Sequence, residues 1–378
     1  MLSKPPEDIQ LTPFERWVES EGLQVITRHT VYDLLTEPLE PWERTGCDAA
    51  LLDLTQYPSD RAWINNQGTT RYIVEIPPGG TFKVERHMYE EIFYVLKGRG
   101  ATAVWYDGSP KLTFEWKEES AFAIPLNTWH EIYNGSGTET VRLYAATNMP
   151  APINLYASTE FVFNCANTFP DRFDADDETY FTGQSVRLGD RLSKSNFIPS
   201  VLHLALDDYN HRGPGTNMYV LMAGGRFVCH VSEFPVASYK KGHGFSGTGT
   251  TTGGVPRTGL VSENSYLFLS GEGYDLQWKT GQKPSPDIEP MRYDFKKNSL
   301  MTNGHGGHQH FNASAEPARY LVLRYGNTSF GAPRDPTERT DKNEDKGQID
   351  YKDEDPRIRA LFKEECAKRG GTSEMEPV

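Results

Sequence analysis

The sequence predicts an all-β fold with two similar β-barrels in tandem and a short helix near each terminus. Three observations lead to this prediction. Short runs of β-branched and aromatic residues recur along the middle of the chain, separated by clusters of Gly, Pro, Asn and Asp, which is typical of strands joined by turns. One group of these runs occurs twice. Both ends of the chain carry the capping signals of single helices.

The two predicted helices lie outside the strand-rich region. Residues 12–22, TPFERWVESEG, begin with Thr12 as N-cap and Glu15 three positions later as its capping-box partner, and they end in glycine. Residues 355–370 have the same plan, with an aspartate cap, a proline at the first helical position and a closing glycine. The predicted terminal units are therefore an N-terminal helical segment, 1–44, and an acidic C-terminal extension with a helix, 328–378.

An internal repeat divides the strand-rich region into two copies. Residues 91–108 align with residues 264–281 without a gap, and the aligned positions share three glycines and a tryptophan. Further along, WHEIYN aligns with GHQHFN, which places His130 opposite His308. Such a repeat indicates one structural unit used twice. The predicted units are a first barrel domain over 45–150, a linker over 151–199 and a second barrel domain over 200–327.

The bulk composition narrows the class of protein. The 378 residues are 37% hydrophobic and 12% aromatic, which is enough for a packed core in each domain. The formal net charge of −13 argues against a nucleic-acid or anionic-membrane partner, because phosphate binding needs a basic face. The chain has no apolar run near the ~20 residues that span a bilayer, no apolar signal-peptide core at its start and no CxxC pair among its four cysteines. We therefore expect a cytoplasmic protein.

A cluster of metal-ligand side chains lies in the first copy. Glu85 and His87 are two positions apart, so on a strand they share one face. Glu91 opens the next strand after a turn, and His130 lies in a later turn before another strand. Imidazole suits Fe, Zn, Cu and Ni, whereas carboxylates favour harder ions such as Mn and Fe(II). Two carboxylates would also balance the charge of a buried divalent ion. The pattern predicts a divalent metal site.

The same residues resemble the two motifs of the cupin superfamily, whose domains are double-stranded β-helix or jelly-roll barrels. The first motif is Gly, five residues, His-x-His, three or four residues, Glu, six residues and Gly, and Glu85, His87 and Glu91 keep that spacing. The second motif is Pro-x-Gly, two residues, His, three residues and Asn, and His130 occupies its histidine position. Two positions depart from the motifs, because Glu85 replaces a histidine and Asn127 replaces a glycine.

The resemblance implies a two-domain cupin, or bicupin, with a metal at the mouth of the first barrel. The implied ligands are Glu85, His87, Glu91 and His130, and the implied catalytic residues are Glu85 and His130. Fe(II) is the favoured ion, with Mn or Zn as alternatives. The resemblance also implies a small-molecule substrate and a chain that can form a homo-oligomer. Because Glu85 stands in for a histidine, we expect it to be a weaker fourth ligand that can leave when substrate or O₂ arrives.

Simpler interpretations stay open for each of these residues. Glu85 can be a surface carboxylate paired with Arg86 or Arg99, and both histidines can be ordinary packing residues. Glu90 is expected to face solvent, because neighbouring strand residues point in opposite directions.

The second copy keeps fewer candidate ligands. His243 and His308 stand where the first copy has its first and last ligands, whereas Phe245 and Asn264 occupy the two positions between. The run NGHGGHQH offers two substitutes, His305 and His310. We expect a degenerate, structural or dimerising domain in which His243 and His308 form at most a weak second site. The glycine-rich insert before residue 264 fits a lid or surface loop.

Three classes of function stay open at this point. The first is a non-haem Fe(II) dioxygenase that acts on a hydroxylated aromatic or enolic small molecule, as implied by the resemblance to ring-cleaving bicupin dioxygenases. The second is a Mn- or Zn-dependent lyase, decarboxylase or isomerase that does not use O₂. The third is a small-molecule-binding bicupin without turnover. The first class is the leading expectation, which makes the protein an oxidoreductase.

Overall fold

The computed structural model describes most of the chain. The described residues are 11–55, 64, 68–225, 227–245, 265–279, 282, 284–303, 306–325 and 347–375. Among these residues, none of the helices has both the length and the apolar character needed to cross a membrane.

The described elements follow the chain in five groups. The N-terminal segment contains α1 (Pro13–Ser20), β1 (Val25–Arg28), β2 (Thr30–Val31) and β3 (Glu40–Trp42). The first barrel contains β4 (Cys47–Leu54), β5 (Thr70–Ile76), β6 (Thr81–Glu85), β7 (Glu91–Lys97), β8 (Arg99–Trp105), β9 (Leu112–Lys117), β10 (Ala121–Ile124), β11 (Trp129–Asn134) and β12 (Val141–Thr147). The connection contains α2 (Pro150–Tyr156), α3 (Thr159–Asn164), β13 (Val186–Gly189), β14 (Leu192–Lys194) and β15 (Phe197–Ile198).

The second barrel and the C-terminal helix complete the chain. The second barrel contains β16 (Asp207–Asp208), β17 (Thr216–Leu221), β18 (Phe227–Phe234), β19 (Ser238–Tyr239), β20 (Ser265–Ser270), β21 (Gly273–Gln277), β22 (Met291–Phe295), β23 (Leu300–Thr302), β24 (His308–Asn312) and β25 (Ala318–Tyr325). A short 3₁₀ turn, Tyr351–Asp353, leads into α4 (Pro356–Lys368).

Each barrel is a large sheet facing a four-stranded sheet. In the first barrel the orders are β1-β4-β5-β12-β7-β10-β15 and β6-β11-β8-β9, and in the second they are β13-β14-β17-β18-β25-β20-β23-β2 and β19-β24-β21-β22. Strands β17 to β25 therefore pair in the same order as β4 to β12. This shared topology is the all-β, two-barrel architecture that the internal repeat predicts, and the repeat is confirmed.

The repeated glycines and asparagines serve the same purpose in both copies. A Cβ on Gly100 would lie 2.0 Å from the Tyr133 carbonyl oxygen, and one on Gly273 would lie 1.8 Å from that of Phe311, so only glycine fits beside the neighbouring strand. Asn134 at the end of β11 donates its side-chain amide to loop carbonyls, and Asn312 at the end of β24 does the same. The sequence repeat thus marks positions where the backbone demands one residue type.

The two large sheets pack against each other through a shared apolar core. This core joins side chains of both barrels, including Ile73, Tyr144, Val220 and Leu321. The opposite face of each large sheet lines its own barrel. Because both faces are covered, strands such as β12 are buried at every position, which explains why they read as continuous apolar runs.

The barrels also exchange short strands. Strand β1 pairs with β4 of the first barrel, but β2, which follows it, pairs with β23 of the second. In the second copy, β14 pairs with β17 of its own barrel and β15 pairs with β10 of the first. Each barrel thus lends an edge strand to the other.

Two equivalent arginines hold the exchanged segments. Arg142 on β12 pairs with Glu75 and donates to the Leu34 carbonyl oxygen at 2.8 Å, just after β2. Arg319 on β25 donates to the Val201 carbonyl oxygen at 3.1 Å, just after β15. Both side chains are buried. Arg142 therefore ties the first barrel to the segment after β2, and Arg319 ties the second barrel to the segment after β15.

The terminal helices follow their predicted capping signals. Thr12 and Glu15 form the predicted capping box of α1, and Asp355 caps α4. Helix α1 packs over one end of the first barrel through Trp17. Helix α4 covers the outer face of the second barrel's four-stranded sheet through Phe362. Both helices are confirmed.

Two predicted segments contain more structure than the sequence indicates. The N-terminal segment, 1–44, is helical only in α1 and otherwise contributes three strands in its described part. The linker, 151–199, contains two helices and three strands. The strands there are two to four residues long and form by pairing with distant sheets, which a local sequence pattern does not reveal. The proposed domain boundaries themselves stay a prediction.

Candidate metal centre

The four predicted ligands of the first barrel lie at one end of the β6–β11 pair. Glu85 is the last residue of β6 and pairs directly with His130 on β11. Glu91 is the first residue of β7, as predicted. His87 is not on a strand as predicted, because β6 ends two residues earlier. The backbone carbonyl of His87 instead accepts a hydrogen bond of 3.1 Å from the backbone N–H of Asn127, which holds this loop against the barrel.

Three of these side chains form a compact group. The ligand atoms of Glu85, His87 and His130 all lie within 4.8 Å of one another. Glu91 adjoins the group through His87, with 3.4 Å between Glu91 Oε2 and His87 Nε2. His130 Nε2 lies 3.9 Å from Glu85 Oε1. The structure therefore brings all four predicted residues together, with Glu91 on the His87 side.

Each of the four residues carries a buried polar atom that lacks a hydrogen-bond partner within the described ranges. These atoms are Glu85 Oε2, His87 Nε2, Glu91 Oε2 and His130 Nε2. A single buried, unpaired polar group costs about 1–3 kcal/mol. A divalent metal ion held among these four side chains would supply the missing partner, so the residues fit a metal centre.

The two histidines are oriented as metal ligands. His87 Nδ1 lies 2.9 Å from the Tyr89 carbonyl oxygen, and His130 Nδ1 lies 3.3 Å from that of Thr128. Because a carbonyl only accepts, each Nδ1 carries the proton and each Nε2 offers its lone pair to the site. The Tyr89 ring also stacks on His87 with 3.6 Å between ring centroids, which fixes the imidazole plane.

Burial makes the site unfavourable for charge without a cation. It lowers the pKa of His130 to about 3, so this imidazole is neutral and available for coordination. Burial also raises the pKa of Glu85 to about 7, and the Glu91 carboxylate contributes in the same direction. A divalent ion would stabilise both carboxylates in their charged forms.

Two neighbours of the site were missed by sequence reasoning. The Tyr72 hydroxyl on β5 donates a hydrogen bond of 2.8 Å to Glu91 Oε1. Arg44 Nη1 lies 3.9 Å from Glu85 Oε2. Tyr72 occupies an inward position of a strand-like run, a weak signal that could have suggested it. Arg44 is 41 positions from Glu85, and no sequence pattern connects the two.

The helical segments hold Arg44 in place. Its guanidinium makes two hydrogen bonds, of 2.7 and 2.8 Å, to the carboxylate of Glu21, the C-cap residue of α1. It also lies 4.1 Å from the ring centroid of Phe163 in α3, in a cation–π contact. A fixed positive charge therefore lies beside Glu85 at the edge of the centre.

The simpler interpretations have mixed outcomes. Arg86 pairs with Asp107 at 2.9 Å, so the cation nearest Glu85 is Arg44 instead. Glu90 is buried and bonded to Arg172 at 2.5 Å, and the expectation that it faces solvent is wrong. It lies in the loop before β7, where strand alternation does not apply. Asn127, at the motif's glycine position, has a φ of +57°, a left-handed conformation that asparagine tolerates.

The second barrel also gathers histidines at the equivalent place. His243 and His308 are close, with 4.1 Å between ring centroids, and His310 joins them. Phe245 is buried and packs on Trp278 rather than lining a site. The candidates Asn264 and His305, and the glycine-rich insert from residue 246 onward, lie outside the described residues.

Comparison with known proteins places residues 72–147 in the cupin domain family. Auxin-binding protein 4 of Zea mays is 29% identical over 84 residues, which are 21% of this chain and 40% of that protein. Auxin-binding protein T85 of Nicotiana tabacum is 32% identical over 85 residues, which are 21% of this chain and 44% of that protein. The chain thus spans less than half the length of these curated relatives.

Solved structures with a similar outline include oxalate decarboxylases. A mutant of the Bacillus subtilis enzyme gives a TM-score of 0.47 at 9% identity, covering 80% of this chain and 78% of that chain. A second oxalate decarboxylase structure gives a TM-score of 0.47 at 10% identity, covering 86% of this chain and 85% of that chain. A likeness this distant carries no information on the reaction.

Proposed function

We propose that the chain is a two-domain member of the cupin superfamily and that its first barrel is a metal-dependent active site for a small molecule that chelates through two oxygens. The observation that carries this proposal is that Glu85, His87, Glu91 and His130 lie together, each with a buried ligand atom that has no hydrogen-bond partner among the described residues. Two imidazoles with two carboxylates favour Fe(II) or Mn(II) over softer ions. The leading candidate activity is that of a non-haem Fe(II) dioxygenase acting on a hydroxylated aromatic or enolic substrate.

The bound metal would polarise the chelating oxygens of the substrate and, as Fe(II), supply electrons to O₂. The protein residues have separate roles around it. Glu91 is fixed by Tyr72, whereas Glu85 receives no hydrogen bond from the described residues and lies 3.9 Å from Arg44. Glu85 is therefore the ligand that can move away, with Arg44 ready to pair with it. The same guanidinium can instead hold an acidic group of the substrate.

The aromatic residues packed beside Arg44 and His87 would keep water away from the centre. Trp17, Phe163 and Tyr89 form a continuous cluster, with ring centroids 5.7 Å apart for Trp17 and Phe163 and 6.0 Å apart for Tyr89 and Phe163. Exclusion of water by this aromatic cluster would strengthen electrostatic interactions inside the site and protect a reactive substrate from hydrolysis.

The same mobile carboxylate favours a second candidate, a Mn- or Zn-dependent lyase, decarboxylase or isomerase. Glu85, once displaced, is a carboxylate beside the reacting group and can accept or return a proton there. A third candidate, binding without turnover, is supported by the curated relatives, which are named for binding auxin.

The deciding experiment combines metal analysis with O₂ uptake. Protein purified without tags or chelators is analysed by elemental mass spectrometry and then assayed aerobically and anaerobically with dihydroxy aromatics, enediols and hydroxy acids. One Fe per chain with substrate-dependent O₂ uptake supports the dioxygenase. Turnover without O₂ supports the second candidate, and stoichiometric ligand binding without turnover supports the third. No metal in the first barrel, even after reconstitution, would overturn all metal-dependent activities.

Substitutions test whether turnover arises at the metal centre of the first barrel. Glu85→Ala and His130→Ala should both abolish turnover. Glu131→Gln is a matched control, because Glu131 is adjacent to His130 but bonds Tyr133 rather than the centre. A loss of turnover in the control equal to that in His130→Ala would indicate a general effect on β11.

A further inference from the structure

The second barrel contains a cluster of three buried histidines that the proposed function does not use. His308 and His310 lie two positions apart on β24 and therefore share one face of the strand. His243 is held beside them by two backbone hydrogen bonds with His308, of 3.0 and 2.9 Å. One nitrogen from each ring lies within 4.8 Å of the other two.

Two of the three rings are turned toward the cluster by partners on their far sides. His243 Nδ1 donates to the Lys241 carbonyl oxygen at 3.0 Å. His310 Nδ1 lies 2.7 Å from Asp275 Oδ1, and Asp275 is fully buried. A carboxylate that holds the rear nitrogen of a histidine is the usual outer partner of a metal-bound imidazole. Both Nε2 atoms are thereby left for a ligand.

His308 occupies the middle of the cluster. Its Nε2 lies 3.2 Å from the Tyr266 hydroxyl, and the Asn303 amide is 3.3 Å from its Nδ1. Asn303 Oδ1 is buried and has no hydrogen-bond partner among the residues that the structure describes, and the same is true of Asp275 Oδ2. A bound ion would replace Tyr266 as the partner of His308 Nε2. The cluster is therefore not a closed hydrogen-bond network, which argues against a purely structural role.

Burial disfavours a positive charge on two of the three rings. Burial lowers the pKa of His243 and His308 well below the ordinary value, and the nearby Arg212 guanidinium acts in the same direction. Neutral imidazoles are the form that binds metals. Arg212 also disfavours an isolated extra cation, so an anionic fourth ligand, such as hydroxide or a carboxylate, would be expected on the ion.

We propose that His243, His308 and His310 form a second metal site that takes a borderline ion such as Zn(II), with Asp275 as the positioning residue of His310. The donor set distinguishes this site from the first centre. Three imidazoles suit Zn, Cu or Ni, whereas the first centre adds two carboxylates that suit Mn(II) or Fe(II). Three protein ligands and one open position is also the arrangement of Zn sites that bind a small ligand. His310 has no ligand counterpart in the first barrel, where Ile132 occupies the aligned position.

The test measures Zn(II) equivalents in the full chain after loading and gel filtration. The wild type should retain two equivalents with Zn(II) alone, and His243→Ala and His310→Ala should each retain one. His87→Ala should lose the other equivalent, so failure of the first centre and failure of the second are seen separately. His203→Ala, an exposed histidine of the same barrel, is the control and should retain two. Unchanged equivalents in His310→Ala would overturn the proposal.

Two further measurements do not depend on those variants. Asp275→Asn should weaken Zn(II) binding by about 10- to 100-fold while the first centre keeps its Mn(II) affinity. Wild-type crystals soaked in Zn(II) should show anomalous density between the three rings. If the histidine variants fail to fold, an absent anomalous peak at this position overturns the proposal and a present one sustains it.

Discussion

The Tyr72 hydroxyl donates a 2.8 Å hydrogen bond to Glu91 Oε1, whereas Glu85, on the other side of the centre, has no hydrogen-bond donor in the part of the chain that the structure describes. The two carboxylates of the first barrel are therefore held to different extents. We expect Tyr72→Phe to weaken Mn(II) or Fe(II) binding by about 10- to 100-fold, because outer partners fix the ligand's orientation. Isothermal titration of the metal-free protein measures this effect.

Tyr94→Phe is the matched control for that substitution. Tyr94 is a buried tyrosine of the same barrel, but it faces the core between the two large sheets. Its substitution should leave metal affinity unchanged. Equal weakening in both variants would show that loss of a buried hydroxyl, rather than support of Glu91, explains the result.

Glu85 and Glu91 should differ in how strongly they contribute to metal retention. Glu91→Gln should weaken binding by at least about 100-fold, whereas Glu85→Gln should cost about tenfold, since only Glu91 is fixed by a hydrogen bond. Dissociation constants for both variants test the order. Glu85→His addresses the leaving role directly, because it should retain iron more tightly and turn over more slowly. Tighter iron with undiminished turnover would contradict that role.

Removal of the metal should lower the stability of the chain. Four buried polar atoms lose their common partner in the metal-free protein, and mass action alone gives about 2.7 kcal/mol at a free metal concentration 100 times the Kd. Urea unfolding with and without chelator measures the difference. The double variant His87→Ala/His130→Ala should respond to chelator only through the second barrel. A full response in this variant would place the stabilising ion elsewhere.

Helix α4 depends on Glu365. Its carboxylate bonds Arg292 at 2.9 Å, Arg369 at 2.8 Å and Lys368 at 2.9 Å, and it is almost fully buried. Glu365→Gln should reduce the free energy of unfolding by about 1.5–3 kcal/mol, the range for hydrogen bonds to charged groups. Glu364→Gln is the control, because Glu364 is exposed and pairs only with Lys368 in the described residues.

The same carboxylate predicts a pH dependence. Arg292, followed by Arg369 and Lys368, holds the pKa of Glu365 well below its ordinary value. The stabilisation is therefore complete above the unfolded pKa of about 4.3 and is lost as the pH falls through the lower folded pKa. The stability difference between wild type and Glu365→Gln should shrink on acidification. A difference that stays constant down to acid unfolding would contradict this assignment.

The sequence predicts those parts of the fold and site that depend on local pattern. Asn134 and Asn312 mark equivalent loops because one side chain satisfies several carbonyls there, and Gly100 and Gly273 mark close strand contacts. Tyr72, by contrast, reaches Glu91 only because β12 brings β5 and β7 into one sheet. The spacing of residues along the chain does not predict that Tyr72 lies beside Glu91, or that Arg44 lies beside Glu85.

The exchange of β2 and β15 has a consequence for biosynthesis. The first barrel's large sheet ends in a strand that is made after its other strands, at Phe197–Ile198. A nascent chain that has emerged only as far as β12 therefore exposes an unpaired sheet edge, together with the apolar face that later meets the second barrel. These two surfaces of the first barrel are covered only after β15 and the second barrel have been synthesised. A gene fragment that stops near residue 150 would be expected to yield aggregates or edge-paired dimers rather than a free barrel.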